Sequence, residues 1–301
     1  MASPTEALVA LLDLEAIGGS TFVGRNRDLG AGRIYGGQVL AQALVAARRT
    51  IPQADREAHS LHAYFILEGD LAEPVTYFVD ILRDGRSFVT RNVSALQHGR
   101  TIFTLSASFH RTESGLAHQL PMPDVPPPEE LRPDLEVLRE EAHRIPQRLR
   151  PVLTQDRPVD FRSVLEYRPF DPRPVPPVQR MWVSTMGALG DAAVQHQAAL
   201  AYASDYGVLA TALRPHGRHV RDPGLMVASL DHSIWFHRPF RADEWLLYSM
   251  DSPVTHGGRG FARGTFFTRD GTLVASVAQE GLLRTGIKPR RKRQPRAGDA
   301  R

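Results

Sequence analysis

Residues 36–44 read GGQVLAQAL and residues 205–213 read DYGVLATAL. Twenty-three positions after each start comes a matched strand-like run, HSLHAYFI from His59 and ASLDHSIWF from Ala228. A second matched pair follows, GRSFVTR from Gly85 and GRGFAR from Gly258. The chain thus states one pattern twice, a helix and then several long strands. VLAQALVAA and VLATAL are small and apolar on almost every face, as a helix covered nearly all round requires.

Working outward, the first copy carries a helix from 36 to about 48 and strand candidates at 59–68, 74–83, 86–97 and 100–110. Gly69–Asp70, Asp84–Gly85 and His98–Gly99 are the tight-turn residues that separate them. The second copy opens with strands near 159–168 and 179–185. Helical sequence runs from 191 to 213, then strands at 227–237, 244–252, 259–269 and 272–284. The boundaries that follow are a first unit at 1–112, a linker with a charged helix at 113–158, a second unit at 159–286 and a tail at 287–301. An antiparallel sheet curled round one long helix, made twice in tandem, is an α+β double hot-dog fold.

Bulk properties narrow the function. The length of 301 residues suits two units, each large enough for its own core. No apolar run approaches the roughly 18 residues that span a bilayer, and the start lacks the cationic region of a secretory signal. With no cysteine there is no disulfide, no thiolate metal site and no cysteine nucleophile, which fits a cytoplasmic protein. The net charge is +4, yet from Lys288 onward stand seven Lys or Arg and one Asp. The basicity therefore belongs to the tail, read as disordered and solubilising, and no nucleic-acid partner is expected for the folded core. There is no G-x-S-x-G elbow, phosphate loop or H-E-x-x-H motif. Neither a metal nor another cofactor is expected.

In order, the stretches YGGQVLAQAL, HSLHAYF, DGRSFVTR, YASDYG, SLDHSIWFHRPF and VASVAQEG resemble the acyl-CoA thioesterase II family. The resemblance implies a double hot-dog hydrolase that cleaves acyl-CoA thioesters with water, acting in fatty acid metabolism as a homo-oligomer, a dimer or tetramer. In that family an aspartate at the start of the second long helix, a Ser or Thr on the following strand and a glutamine on the last strand hold the water. Those positions are Asp205, Ser229 and Gln279, with serine standing where many members carry threonine.

The residues point the same way without the family. Aligning the copies sets Asp205 opposite Gly36, at the entry to a helix, where backbone N–H groups favour a carboxylate. Ser229 matches Ser60, but Gln279 falls opposite Ala107, so only the second copy carries all three partners. Gln279 lies in the apolar run LVASVAQEGLL, where a buried amide must find partners. Gly37, Gln38 and His62 are substrate-contact candidates, the first two from the GGQ turn. Candidates for the CoA phosphates are Arg83, Arg86, Arg91, Arg259 and Arg263.

Two rival readings remain. Hot-dog hydratases use an Asp and a His five residues apart, the spacing of Asp191 and His196, although Ala193 and Val194 stand where the hydratase pattern expects Asn and Pro. The other is a non-catalytic acyl-CoA-binding scaffold.

Overall fold

The computed structural model describes residues 3–30, 32–165 and 168–286; the basic tail at 287–301 lies outside the described residues. Chain order begins with α1 (Pro4–Leu12), β1 (Glu15–Gly18), β2 (Thr21–Gly24) and α2 (Gly36–Arg49). Then come β3 (Glu57–Phe65), β4 (Val75–Asp84), β5 (Phe88–Gln97) and β6 (Arg100–His110). The connecting segment holds α3 (Asp134–Glu140) and α4 (Arg150–Leu153). The second half contains β7 (Val159–Ser163), β8 (Val178–Thr185), α5 (Ala193–Ser204), α6 (Val208–Thr211) and β9 (Leu225–Ser229). It ends with β10 (Asp231–Phe236), β11 (Leu246–His256), β12 (Arg259–Thr268) and β13 (Leu273–Thr285).

All thirteen strands form one sheet in the order β1-β2-β4-β5-β6-β3-β10-β13-β12-β11-β8-β7, with β9 beside β13. The order reads symmetrically about the β3–β10 junction, where Ser233 pairs with His62. Two hot-dog units are thereby fused edge to edge, each abolishing the other's exposed edge. On the inner face α2 and α5 pack together. Ala41, Ala43, Ala46 and Ala47 of one helix and Ala198, Ala199, Ala201 and Ala203 of the other are all buried. Small side chains let the two axes approach, and the large core residues come from the strands, among them Tyr77, Phe103, Phe109 and Phe266. The His98–Gly99 turn takes φ of 49° and 69°, the left-handed pair that a tight hairpin needs.

Two elements that the sequence reading runs through without a break are interrupted. The helix expected over 191–213 is broken into α5 and α6, with Gly207 at φ +80° between them. The strand expected over 227–237 is split at Leu230 into β9 and β10. In β9, Ser229 pairs with Gly281; in β10, Ser233 pairs with Ala278. The register has slipped by one residue, so Leu230 and Asp231 together face Glu280: a β-bulge.

The connecting segment is anchored by a buried acid. Asp134, only 2% exposed, accepts hydrogen bonds from the Ser163 N–H at 2.9 Å and the Ser163 hydroxyl at 2.8 Å. Burial raises its pKa from 3.8 to about 6, against the lowering effect of those bonds. A carboxyl raised on folding lends stability that is complete below its unfolded pKa and is lost as pH rises through the folded value. Asp134→Asn should therefore flatten the stability profile. Urea midpoints measured from pH 4.5 to 7.5 should show wild type losing up to about 2–3 kcal/mol relative to the variant as pH rises. A constant difference would contradict this.

Candidate active site

Asp205, Ser229 and Gln279 come from three elements and meet in one cluster. Gln279 Nε2 donates to Asp205 Oδ1 at 2.9 Å and to Ser229 Oγ at 2.6 Å. Asp205 Oδ2 accepts the Gly37 N–H at 2.9 Å. Asp205 and Ser229 are half-buried and line a cavity of about 620 Å³ whose walls include Leu29, Ile34, Val39, Phe65 and Phe103. Gln279 is fully buried and sits behind them. Its amide has two hydrogens, and both are committed to its neighbours. In this geometry Gln279 clamps the two groups that face the cavity.

The helix that serves Asp205 is not the one the sequence suggested. Asp205 is the C-cap of α5, not the start of a helix. Its carboxylate instead meets the N-terminus of α2, from the other half. Tyr35, the N-cap of α2, provides no side-chain cap, so the Gly37 N–H would lack an intrahelical partner. Asp205 supplies one across the unit boundary, at the positive end of a 14-residue helix. A Cβ on Gly36 would lie 2.8 Å from Asp205 Oδ2. The repeat-aligned positions Gly36 and Asp205 are thus neighbours in space, across the join between the units.

The remaining candidates scatter. Gly37 contributes its backbone. Gln38 is buried within its own half; its Oε1 accepts the Arg27 N–H at 3.1 Å and its Nε2 donates to Arg25 O and Asn26 Oδ1. It lines neither large cavity. His62 is exposed on the outer face of the sheet, hydrogen-bonded to Ser233 and edge-on to Trp235. For the hydratase reading, Asp191 is fully exposed and paired with Arg241, whereas His196 is buried and its Nδ1 accepts the Ala242 N–H. Neither reaches the cavities.

A second cavity, of about 840 Å³, shares Asp205 and Ser229 with the first. Arg168, Arg173, Arg180, Arg214 and Arg218 line it, against the acids Asp134 and Asp205. Arg180 Nε is buried without a hydrogen-bond partner among the described residues, and burial pulls the Arg214 pKa down. The sequence reading had chosen other arginines. Arg91 is buried and bonded to Asp84, while Arg259 and Arg263 pair with Glu280 and Asp251. None of the five lines either cavity. The signal that would have pointed to the arginines lining this cavity is the arginine-rich, proline-rich sequence at 168–180 and 214–221.

Two fused hot-dog units, with a carboxylate and a hydroxyl lining an apolar cavity and a buried amide clamping them from behind, fit a hot-dog hydrolase. A family profile described as acyl-CoA thioesterase matches residues 151–282, and one described as acyl-CoA thioesterase N-terminal domain matches residues 26–110. The chain belongs to the acyl-CoA thioesterase II family. It is 42% identical over 278 residues to acyl-CoA thioesterase 2 of Haemophilus influenzae, covering 92% of this chain and 96% of that one. It is 41% identical to acyl-coenzyme A thioesterase 8 of Homo sapiens, covering 94% and 89%. Among solved structures, an acyl-CoA thioesterase II of Mycobacterium marinum superposes with a TM-score of 0.75 at 38% identity, covering 92% of this chain and 98% of that one.

Proposed function

We propose that this chain hydrolyses acyl-CoA thioesters to a free fatty acid and CoA by direct attack of one water, with no covalent acyl-enzyme. The observation that carries the reading is the position of Asp205 and Ser229 where an apolar cavity and an arginine-lined cavity meet. An acyl-CoA has the same division, a hydrocarbon chain and a polyanionic nucleotide joined near the reacting carbonyl. The acyl chain lies in the first cavity and the phosphates among the arginines of the second.

Asp205 accepts a proton from the water as general base, and Ser229 fixes the water's second direction. Gln279 holds both groups in register. As the C–O bond forms, the carbonyl oxygen gains charge. Gly36, at the same positive helix end and lining the apolar cavity, offers a backbone N–H for it. Collapse breaks the C–S bond, and the proton held by Asp205 returns to the departing thiolate. The hydroxyl of Ser229 stays unacylated throughout.

The finer context belongs to the same reading. The units are 1–112 and 159–286, joined by 113–158. The enzyme works in the cytoplasm, with which a cysteine-free chain is compatible. It assembles as a homo-oligomer, a dimer or tetramer, and the exposed aromatics Tyr64, Phe78, Phe88 and Trp235 support this.

The nucleotide assignment is tested by Arg214→Ala. Loss of one charged contact of about 1.5–3 kcal/mol should raise KM for a long-chain acyl-CoA roughly tenfold or more. KM for the matching acyl-pantetheine, which has no nucleotide, should stay within twofold. Equal changes for both substrates would refute the assignment.

A further inference from the structure

The clamp at Gln279 leaves one atom unexplained. Among the described residues, Gln279 Oε1 is buried with no hydrogen-bond partner, and so is His232 Nδ1. Both residues are wholly buried. Continuing the Ser233–Ala278 register by one residue puts His232 directly opposite Gln279 on the neighbouring strand. Side chains directly opposite each other share a face. The bulge at Leu230 is what allows this. In a regular strand Ser229 and His232, three apart, would point to opposite faces. With the one-residue slip, Ser229 opposes Gly281 and His232 opposes Gln279, and those partners are two apart and share a face. The bulge thus turns both side chains toward the same amide.

We infer that His232 is a positioning residue for the hydrolytic centre: its Nδ1–H orients the Gln279 carboxamide so that the amide nitrogen faces Asp205 and Ser229. The inference rests on the proposed roles of those three residues. Hydrogen counting supports it. An ionised Asp205 needs donors, so the Nε2 of Gln279 must face it and Oε1 must face away. A buried Oε1 facing His232 requires hydrogen on Nδ1. Burial lowers the His232 pKa and favours the neutral ring, whose other nitrogen then accepts. That nitrogen, Nε2, lies 2.9 Å from Ser204 Oγ, which is also 2.9 Å from Ala201 O. The Ser204 hydroxyl has a single hydrogen and donates it to Ala201 O in the structure; the inferred tautomer requires that hydrogen to turn to His232 Nε2. The opposite tautomer would set the Nδ1 lone pair against Oε1, and turning the amide over would set Oε1 against the Asp205 carboxylate. Ser204, next to Asp205 in sequence, closes the chain from α5 through His232 and Gln279 back to the catalytic carboxylate.

Three substitutions in the full chain test this, alone and combined with Gln279→Ala, by steady-state hydrolysis of a long-chain acyl-CoA and by melting temperature. Asn presents its amide nitrogen near the Nδ1 position, whereas Gln reaches the Nε2 position and Leu offers no donor. His232→Leu and His232→Gln should lower kcat about 10- to 100-fold with KM within twofold, as a misplaced group does. His232→Asn should recover most of that loss. In the Gln279→Ala background the same changes should cost less than twofold, because residues acting as a unit are not additive. Asn and Gln proteins of equal activity would overturn the inference, as would an undiminished His232 effect without Gln279. A Gln279→Ala enzyme of wild-type rate would instead remove the ground for the proposed trio as well.

Discussion

Asp205→Asn should lower kcat by roughly two to four orders of magnitude while leaving the fold intact. The substitution preserves size and removes the basic carboxylate. It also inverts one set of hydrogen bonds. Asp205 now accepts from Gly37 N–H and from Gln279 Nε2, both donors. An asparagine can accept from one of them but turns its own NH₂ toward the other. The charge effect on stability is small by comparison, about 0.3–1 kcal/mol for an anion at a helix N-terminus. Parallel kcat and thermal-unfolding measurements should therefore separate: a large kinetic loss beside a modest shift in Tm. A variant within tenfold of wild type would show that Asp205 only caps α2.

Gly37→Ala should damage stability and rate together. A Cβ at this position would collide with the carbonyl oxygen of Tyr202 and come within 2.6 Å of the Tyr35 ring. The first of these is backbone of α5, which has no rotamer to escape into. The helices must part or tilt, and overpacking of this kind costs about 1–3 kcal/mol or more. The same movement carries the Gly37 N–H away from Asp205, and a displacement near 1 Å costs about 10²-fold in rate. A lowered Tm with an unchanged kcat would mean that the Gly37–Asp205 bond plays no part in catalysis.

The fold was legible because hydrophobic pattern and turn chemistry are local. The alternation in β5 and β6, the turn at His98–Gly99 and the largely small and apolar helix at 36–48 each follow from neighbours in sequence. Asp205, Ser229 and Gln279 were also within reach, since comparing the two copies isolates polar residues that only one copy carries. What the sequence hid was relative placement. The capping argument for Asp205 selected the helix that follows it in the chain, whereas the structure uses α2, some 170 residues away, because the two units pack helix to helix. His232 reads as a core histidine from its central strand, and it is buried; its place opposite Gln279 was hidden because strict alternation puts it on the far face from Ser229, and only the register slip at Leu230 reverses that. The cationic cavity escaped because Arg168, Arg180, Arg214 and Arg218 come from separate segments and converge only when the loop after α6 folds against the segment before β8, where the Val175 N–H donates to Arg214 O.

The most direct test is one turnover of excess enzyme with a long-chain acyl-CoA in H₂¹⁸O, followed by mass analysis of the fatty acid and of the peptides bearing Ser229 and Asp205. Water attacking the thioester carbonyl predicts one ¹⁸O in the acid of the first turnover, with both peptides unmodified. An acylated Ser229 peptide, or unlabelled acid alongside ¹⁸O in the Asp205 peptide, would show that a side chain attacks first and would contradict the mechanism.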